Sequence, residues 1–390
     1  MKLDFVSKNE KDQILELMKY CFLIDEDTLN WIGEEMFRAE NCLAVYDDKK
    51  IAASLQVLPF EIFFQGKPVP MGGISAVCTL PEYRSKHYAG DLLQEAIKLM
   101  HDRGQMFSML APFSYHFYRQ YGWELAFQTS EYEFDVSNFK KFKKAGIDGF
   151  KPLEYDDIPG VKDVYEKYIC RYNGALRRSD RDWNIEFQQH ERKDKYRYGC
   201  TNEDGELQGY LFFKIKDRKM NIGELCYNSI DIKRKIFAFI YSHRSQIDKV
   251  GWNAPADDNT ILMLDEPTRS HKFGIEMMAR VVDMKQVLKR LNTGNNISGV
   301  SFALKVEDKY AKWNNRIFRV EVDDGEVEVD VLEDVDPDII CAVQPLSQMI
   351  LGYAVPEQSW ELGKIKGDRE KIEELALLLP DRKTFMNDYF

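Results

Sequence analysis

The amino-acid sequence predicts an α/β protein of mixed sheets, laid out as three consecutive segments. Three observations carry this expectation. Helix-period and strand-period apolar patterns alternate through the first part of the chain, up to Val136. A second alternation follows a lysine-rich stretch at Lys140–Lys144. The last part changes character, with strands joined by a hairpin signal and helices at the end. A length of 390 residues suggests two or three domains, and 44% apolar residues can give each one a core.

In chain order, Ile14, Leu15, Met18, Cys21 and Phe22 place a helix over Asn9–Phe22. A strand opens at Cys42 and runs to Tyr46, and Asp47-Asp48-Lys49-Lys50 turns the chain into a strand from Ile51 to Pro59. A further strand, Glu61–Phe64, meets a Gln65-Gly66-Lys67-Pro68 turn and then Val69–Thr79. Leu92, Leu93, Ala96, Ile97, Leu99 and Met100 mark an amphipathic helix. Met106–Leu110 reads as a buried strand and residues 114–120 as a short helix; strands at Trp123–Phe127 and Tyr132–Val136 close the first segment. The lysines around Phe142 read as a linker or surface loop. The second segment has a helix near Val161–Tyr172, strands near Tyr196–Cys200 and Leu207–Lys214, and a helix near Ile232–Tyr241. In the third, Val300–Val306 and Ile317–Val322 are expected strands, Asp323-Asp324-Gly325 is a hairpin turn signal, and Val327, Val329 and Val331 alternate. Helical stretches near Leu346–Leu351 and Lys371–Leu379 come last.

Composition excludes several function classes. Lys plus Arg number 54 against 65 Asp plus Glu, a formal net charge of −11. A nucleic-acid binder would need a basic face to displace counterions. An acidic surface is either simply solvated or attracts cationic substrates. No apolar run approaches the ~20 residues that span a bilayer, and Met1–Phe5 lacks a signal-peptide stretch. Seven scattered cysteines contain no Cys-x-x-Cys pair and the six histidines are dispersed. This points to reduced thiols in a cytoplasmic protein without a metal or disulfide framework.

The chemistry concentrates in Val77-Cys78-Thr79-Leu80-Pro81-Glu82-Tyr83-Arg84-Ser85-Lys86-His87-Tyr88-Ala89-Gly90. This stretch ends a strand, makes a tight loop and opens a helix. Unpaired N–H groups and the positive dipole end at a helix N-terminus suit a pyrophosphate, and Arg84 and Lys86 add charge. An ordinary strand-to-helix connection has the same outline, so the residues alone leave both readings open.

The segment Arg84-Ser85-Lys86-His87-Tyr88-Ala89 resembles the coenzyme A signature Arg/Gln-x-x-Gly-x-Gly/Ala of the GNAT superfamily of N-acetyltransferases, with His87 where the signature has its first glycine. Further on, Phe117-Tyr118-Arg119-Gln120-Tyr121-Gly122-Trp123 is similar to the aromatic segment of the Eis (enhanced intracellular survival) family within that superfamily. Ala342-Val343-Gln344-Pro345-Leu346-Ser347-Gln348 with Leu351-Gly352-Tyr353 is similar to a stretch of that family's third domain. The terminal aromatic residue, Phe390, stands where the family places a catalytic carboxylate.

The resemblance implies a catalytic GNAT domain over 1–137, a second, degenerate GNAT-like domain over 138–283, and a sterol-carrier-protein-like domain over 284–390. It implies acetyl-coenzyme A as co-substrate, no metal, an aminoglycoside, polyamine or lysine-like amine as acceptor, and a homo-oligomer, often a hexamer. It also implies roles for residues. Val77, Cys78 and Thr79 would pair with the pantetheine arm, and Arg84, Ser85, Lys86, His87, Tyr88, Ala89 and Gly90 would cradle the pyrophosphate. Phe113 and Ser114 would flank the cofactor. Tyr118 would be the general acid and the Phe390 α-carboxylate the general base. A phenol of pKa near 10 can protonate a thiolate of pKa about 8.5 or above. Two alternatives stay open: a catalytically inactive acyl-coenzyme A binder, and a hydrophobic-ligand carrier working through the third domain.

Overall fold

The computed structural model describes residues 2–188, 195–266, 272–275, 277–291, 297–379 and 383–390. The first part runs β1 (Lys2–Phe5), α1 (Lys11–Phe22), α2 (Glu26–Trp31), β2 (Cys42–Asp47), β3 (Lys50–Phe64), β4 (Lys67–Thr79), α3 (Tyr88–Asp102), β5 (Phe107–Leu110), α4 (Tyr115–Arg119) and β6 (Glu124–Leu125). Gln65 and Gly66 take φ of 51° and 81°, the mirror-image turn that matches strand twist in a tight hairpin. β3 is one continuous strand where the sequence suggested two. Pro59 sits inside it, beyond the end of β2 at Gln56 and before the next edge partner at Glu61, where a missing N–H is tolerated.

The second part holds β7 (Gln128–Asp135), β8 (Phe150–Pro152), α5 (Ile158–Ile169), β9 (Leu176–Arg177), α6 (Asp180–Gln188), β10 (Tyr196–Thr201), β11 (Leu207–Lys216), β12 (Lys219–Tyr227), α7 (Ile230–Ser242), β13 (Lys249–Pro255), β14 (Lys272–Ile275) and β15 (Met278–Val281). The lysine-rich stretch is not a linker. Val136–Ala145 is a 3₁₀ helix whose Phe139 and Phe142, three residues apart and therefore on one face, are buried against Phe237 of α7. The third part comprises α8 (Met284–Leu288), β16 (Val300–Glu307), β17 (Ile317–Asp323), β18 (Glu326–Leu332), β19 (Ile339–Ala342), α9 (Val343–Leu351), α10 (Pro356–Glu361), β20 (Ile365–Gly367) and α11 (Arg369–Leu378).

Among the described residues these strands form three mixed sheets. The first has the order β1-β2-β3-β4-β5-β15-β6, with β9 on β3; the second β14-β7-β13-β12-β11-β10-β8; the third β18-β17-β16-β19-β20. The first two sheets exchange strands. The strand expected to finish the first sheet near Tyr132 pairs instead with β13 and β14, while β15, from much later in the chain, closes the first sheet between β5 and β6.

The third part is locked onto the first by α9. Ser347 Oγ accepts from Val281 N (2.8 Å), Gln348 Nε2 donates to Leu125 O (2.6 Å) and Gln344 Nε2 to Arg119 O (3.0 Å). The interior of this part is filled by Phe302, Leu304, Val320, Ile350, Leu351 and Leu375, all buried. Beneath it, fully buried Arg280 donates to Tyr121 O and pairs with buried Asp308 at 2.6 Å, so a charge removed from water is fully engaged.

Candidate active site

β4 and β5 run parallel, but their pairing spans only Met71–Gly73 against Phe107–Met109. Beyond Gly73 the strands separate. On its other edge β4 bulges opposite Leu55, with Ala76 at φ 50°, and a bulge re-aims the backbone that follows. The result is a cleft of about 550 Å³, lined by Val77 and Thr79 of β4, by Arg84, Ser85, His87, Tyr88, Ala89 and Gly90 of the loop and helix, and by Phe113.

The loop has the backbone of an anion cradle. Ser85 and His87 both take positive φ, 68° and 63°. His87 therefore stands in the left-handed region that the glycine of the signature motif would occupy freely, and it does so immediately before α3. No side chain caps α3, which leaves its first N–H groups facing the cleft. Gly90 has no room for a side chain because the Tyr121 hydroxyl occupies the space where a Cβ would go. Tyr88 donates to Asp47 (2.7 Å) and Lys86 pairs with the same carboxylate (3.1 Å), tethering the loop to β2. An uncapped helix end beside two strands that part company suits a pyrophosphate followed by an extended amide-bearing arm.

Three expected cofactor residues do not line this cleft. Lys86 is turned to Asp47. Ser114 accepts from Phe117 N (3.3 Å) as the N-cap of α4, a positioning role. The Cys78 side chain is buried against α1, and burial pushes its thiol pKa up, so it is an inert thiol whose backbone alone faces the parting strands. Conversely, Cys21 and Phe22 at the end of α1, Tyr83, Phe117 and Tyr121 join the lining without having been expected there. Phe22 was legible as an apolar residue at a helix end, but its periodicity read only as core.

Tyr118 does not itself line the cleft; it lies behind two residues that do, Phe113 and Phe117. It is buried, its ring is edge-on to Phe113 and Phe117, and among the described residues no hydrogen-bond partner meets its hydroxyl. Burial, and then the Cys78 thiol, raise its pKa above the ordinary tyrosine value, so the phenol is held protonated.

The chain end threads inward. Asn173, fully buried, organises it. Its backbone exchanges hydrogen bonds with Lys383 O and Phe385 N, its side chain accepts from Gln65 N (2.7 Å), and its amide donates to Leu351 O (2.9 Å). Phe385 and Met386 are buried, and Asn387 contacts the Tyr165 hydroxyl. The Phe390 ring lies 4.8 Å from Phe60 and fills the space above Gly73, where an added Cβ would come within 2.6 Å of it. Gly73 is the last β4 residue paired with β5, so the chain terminates where the two strands part. A second cleft of about 680 Å³ opens over Phe60, between the first and second parts.

The second sheet repeats the strand-helix-strand design. β12 and β13 pair in parallel only from Lys219–Ile222 and then separate, with α7 between them. Here, however, the connection to the helix is only Asn228-Ser229, against residues 80–87 in the first unit, and Ser229 caps the helix by accepting from Ile232 N. Phe385 and Asn387 of the tail occupy the gap beside Gly223 and Trp252. The equivalent helix, α7, thus has a capped rather than an open N-terminus.

Comparison with known proteins agrees with this architecture. Residues 2–126 match a model described as an acetyltransferase (GNAT) domain, residues 174–281 a second model with the same description, and residues 284–387 a sterol carrier protein domain. No curated protein matches the sequence. A conserved protein of unknown function from Enterococcus faecalis, described as a probable N-acyltransferase, superposes with a TM-score of 0.90 at 23% identity, covering 100% of this chain and 99% of that one. A GCN5-related N-acetyltransferase from Anabaena variabilis gives 0.87 at 23% identity, with 100% of both chains covered. Eis1 from Mycobacterium abscessus gives 0.81 at 16% identity, again over 100% of both chains. At these identities the likeness establishes the fold. Among the described residues no group of three or more His, Cys, Asp or Glu side chains could hold a metal ion, and no helix is long and apolar enough to cross a membrane.

Proposed function

From the premise that this chain is an acyltransferase, built from two GNAT domains and a sterol carrier protein domain, we propose that it is an Eis-like N-acetyltransferase that moves an acetyl group from acetyl-coenzyme A to an amine. The observation that carries the reading is the uncapped N-terminus of α3, entered through positive-φ His87, beside strands that separate after Gly73. The main-chain amides of Tyr88, Ala89 and Gly90 would hold the pyrophosphate, and the β4 backbone from Val77 to Thr79 the pantetheine arm. Bound acetyl-coenzyme A would supply the activated acyl group as its thioester.

The chain's own residues then divide the proton chemistry. An acceptor amine must lose its proton to expose the lone pair. The Phe390 α-carboxylate, an intrinsically weak base of pKa roughly 3.3–3.7, would relay that proton and steady the cation before it leaves. As the new C–N bond forms and the C–S bond breaks, Tyr118 would give its proton to the departing sulfur, and its raised pKa keeps it available as a donor. The second GNAT unit would serve as the seat of the tail, since Phe385 fills its strand gap.

Thiol release from acetyl-coenzyme A in the presence of a panel of amines tests the reading. Amine-dependent thiol release with a stoichiometric acetylated product supports it. Binding of acetyl-coenzyme A without release in the presence of any amine would leave an inactive binder instead.

A further inference from the structure

The cleft of about 680 Å³ over Phe60 is within the usual size of a small-molecule site. Its walls are charged, but not in one sense. Five basic and five acidic residues line it, a balance at odds with the formal −11 of the whole chain. The carboxylates are mostly spoken for. Glu61 and Glu166 are held by Arg177 at 2.9 and 3.4 Å, Asp180 by Lys162, and Asp182 accepts from Ser179 N and Oγ, both at 2.7 Å. Neither Asp182 nor Glu40, at the exposed rim, forms an ion pair among the described residues. On the basic side, Arg178 is engaged by Glu224 and Asp388, and Arg181 lies 3.9 Å from Glu35. Arg38 is the exception: its guanidinium donates only to the adjacent Phe37 carbonyl (2.7 Å), and no carboxylate meets it among the described residues.

A polycation entering this cleft would find three of the five carboxylates already held by arginine or lysine, and it would meet an unpaired guanidinium. We infer that the acceptor is a small amine that carries an acidic group of its own, of the amino-acid kind, with its acid bound by Arg38 and its amine directed toward the chain end beside Phe60. This rests on the acetyltransferase reading above. A guanidinium with free N–H groups matches a carboxylate through charge-assisted, paired hydrogen bonds, whereas a diamine or aminoglycoside has nothing to offer it.

Matched acceptors test this directly: L-lysine against 1,5-diaminopentane, L-ornithine against 1,4-diaminobutane, and kanamycin as a polycation, each assayed by thiol release at saturating acetyl-coenzyme A. The acid-bearing member of each pair should have the higher kcat/KM by at least about ten-fold, the low end of what a hydrogen bond to a charged group contributes. Arg38→Met should bring the ratio within each pair close to one, mainly by raising KM for the acid-bearing acceptor, and Arg38→Lys should restore part of it. Turnover of diamines or kanamycin equal to or faster than that of the amino acids overturns the inference and leaves the acetyltransferase standing, as does a ratio that Arg38→Met does not change. Thiol release with none of these amines would remove the acetyltransferase reading and this inference with it.

Discussion

Arg178 holds Asp388, the third residue from the chain end, through Nε at 3.1 Å and Nη2 at 3.0 Å, and the same guanidinium reaches Glu224 of β12 through Nη1 at 3.1 Å. It lies over the rings of Tyr165 and Trp183, at 4.6 and 4.8 Å. Burial raises the Asp388 pKa and would favour its neutral form, and the Arg178 charge opposes this. Removing the arginine leaves two carboxylates facing each other out of water, a change of the kind that costs about 3–5 kcal/mol when a buried pair is broken. Arg178→Met should therefore free the tail. We expect kcat to fall by about 10²-fold, the contribution typical of a well-placed acid or base, with acetyl-coenzyme A affinity by calorimetry little changed. Adding Asp388→Asn to Arg178→Met should recover part of the loss by removing one of the stranded charges.

Tyr118→Phe removes only a hydroxyl from a buried aromatic cluster. Loss of a general acid predicts a fall in kcat of about 10²-fold or more, with cofactor affinity retained. The pH profile adds a second check. Because the Tyr118 pKa is raised above its ordinary value of about 10, the donor form persists through the alkaline range. Rate should thus rise with pH as the acceptor amine loses its proton, without a descending limb from tyrosine ionisation below about pH 10. A descending limb near pH 9 that disappears in Tyr118→Phe would contradict a buried, protonated donor.

His87 occupies φ 63°, a conformation that costs an L-residue with a side chain roughly 1–2 kcal/mol. Glycine relieves that cost but adds freedom to the unfolded chain. His87→Gly should therefore leave the melting temperature nearly unchanged and keep or improve acetyl-coenzyme A affinity. A marked loss of affinity would mean that the imbidazole itself touches the ligand. Ala89→Glu, which puts a bulky anion in the phosphate cradle, should weaken binding.

The loop from Val77 to Gly90 and the aromatic segment around Tyr118 could be read from sequence because helix periodicity and a short motif are local properties. The apolar tail was legible too, since Phe385, Met386, Tyr389 and Phe390 in six residues are too apolar to remain solvated. Other features were not. Strand periodicity does not say which sheet a strand joins, so the exchange of Gln128–Asp135 for Met278–Val281 left no local signal. The four lysines of 140–144 are exposed, as they read, but the helix they sit on, with Phe139 and Phe142 buried beneath, was not legible because those two rings follow a 3₁₀ rather than an α period. The anchor of Asp388 on Arg178 joins residues 210 positions apart, and no spacing rule reaches that far. Arg38 carried no motif at all.

Turnover by a chain lengthened beyond Phe390 is the measurement that separates a catalytic chain end from a merely structural one. Three residues added after Phe390 move the α-carboxylate by up to about 10 Å at ~3.3–3.6 Å per residue, while Asp388 and Phe385 can keep their anchors. We expect kcat to fall by about 10²-fold or more, with acetyl-coenzyme A binding intact by calorimetry. Full kcat in the lengthened chain would contradict the assignment and hand the base role to an internal carboxylate near the acceptor cleft.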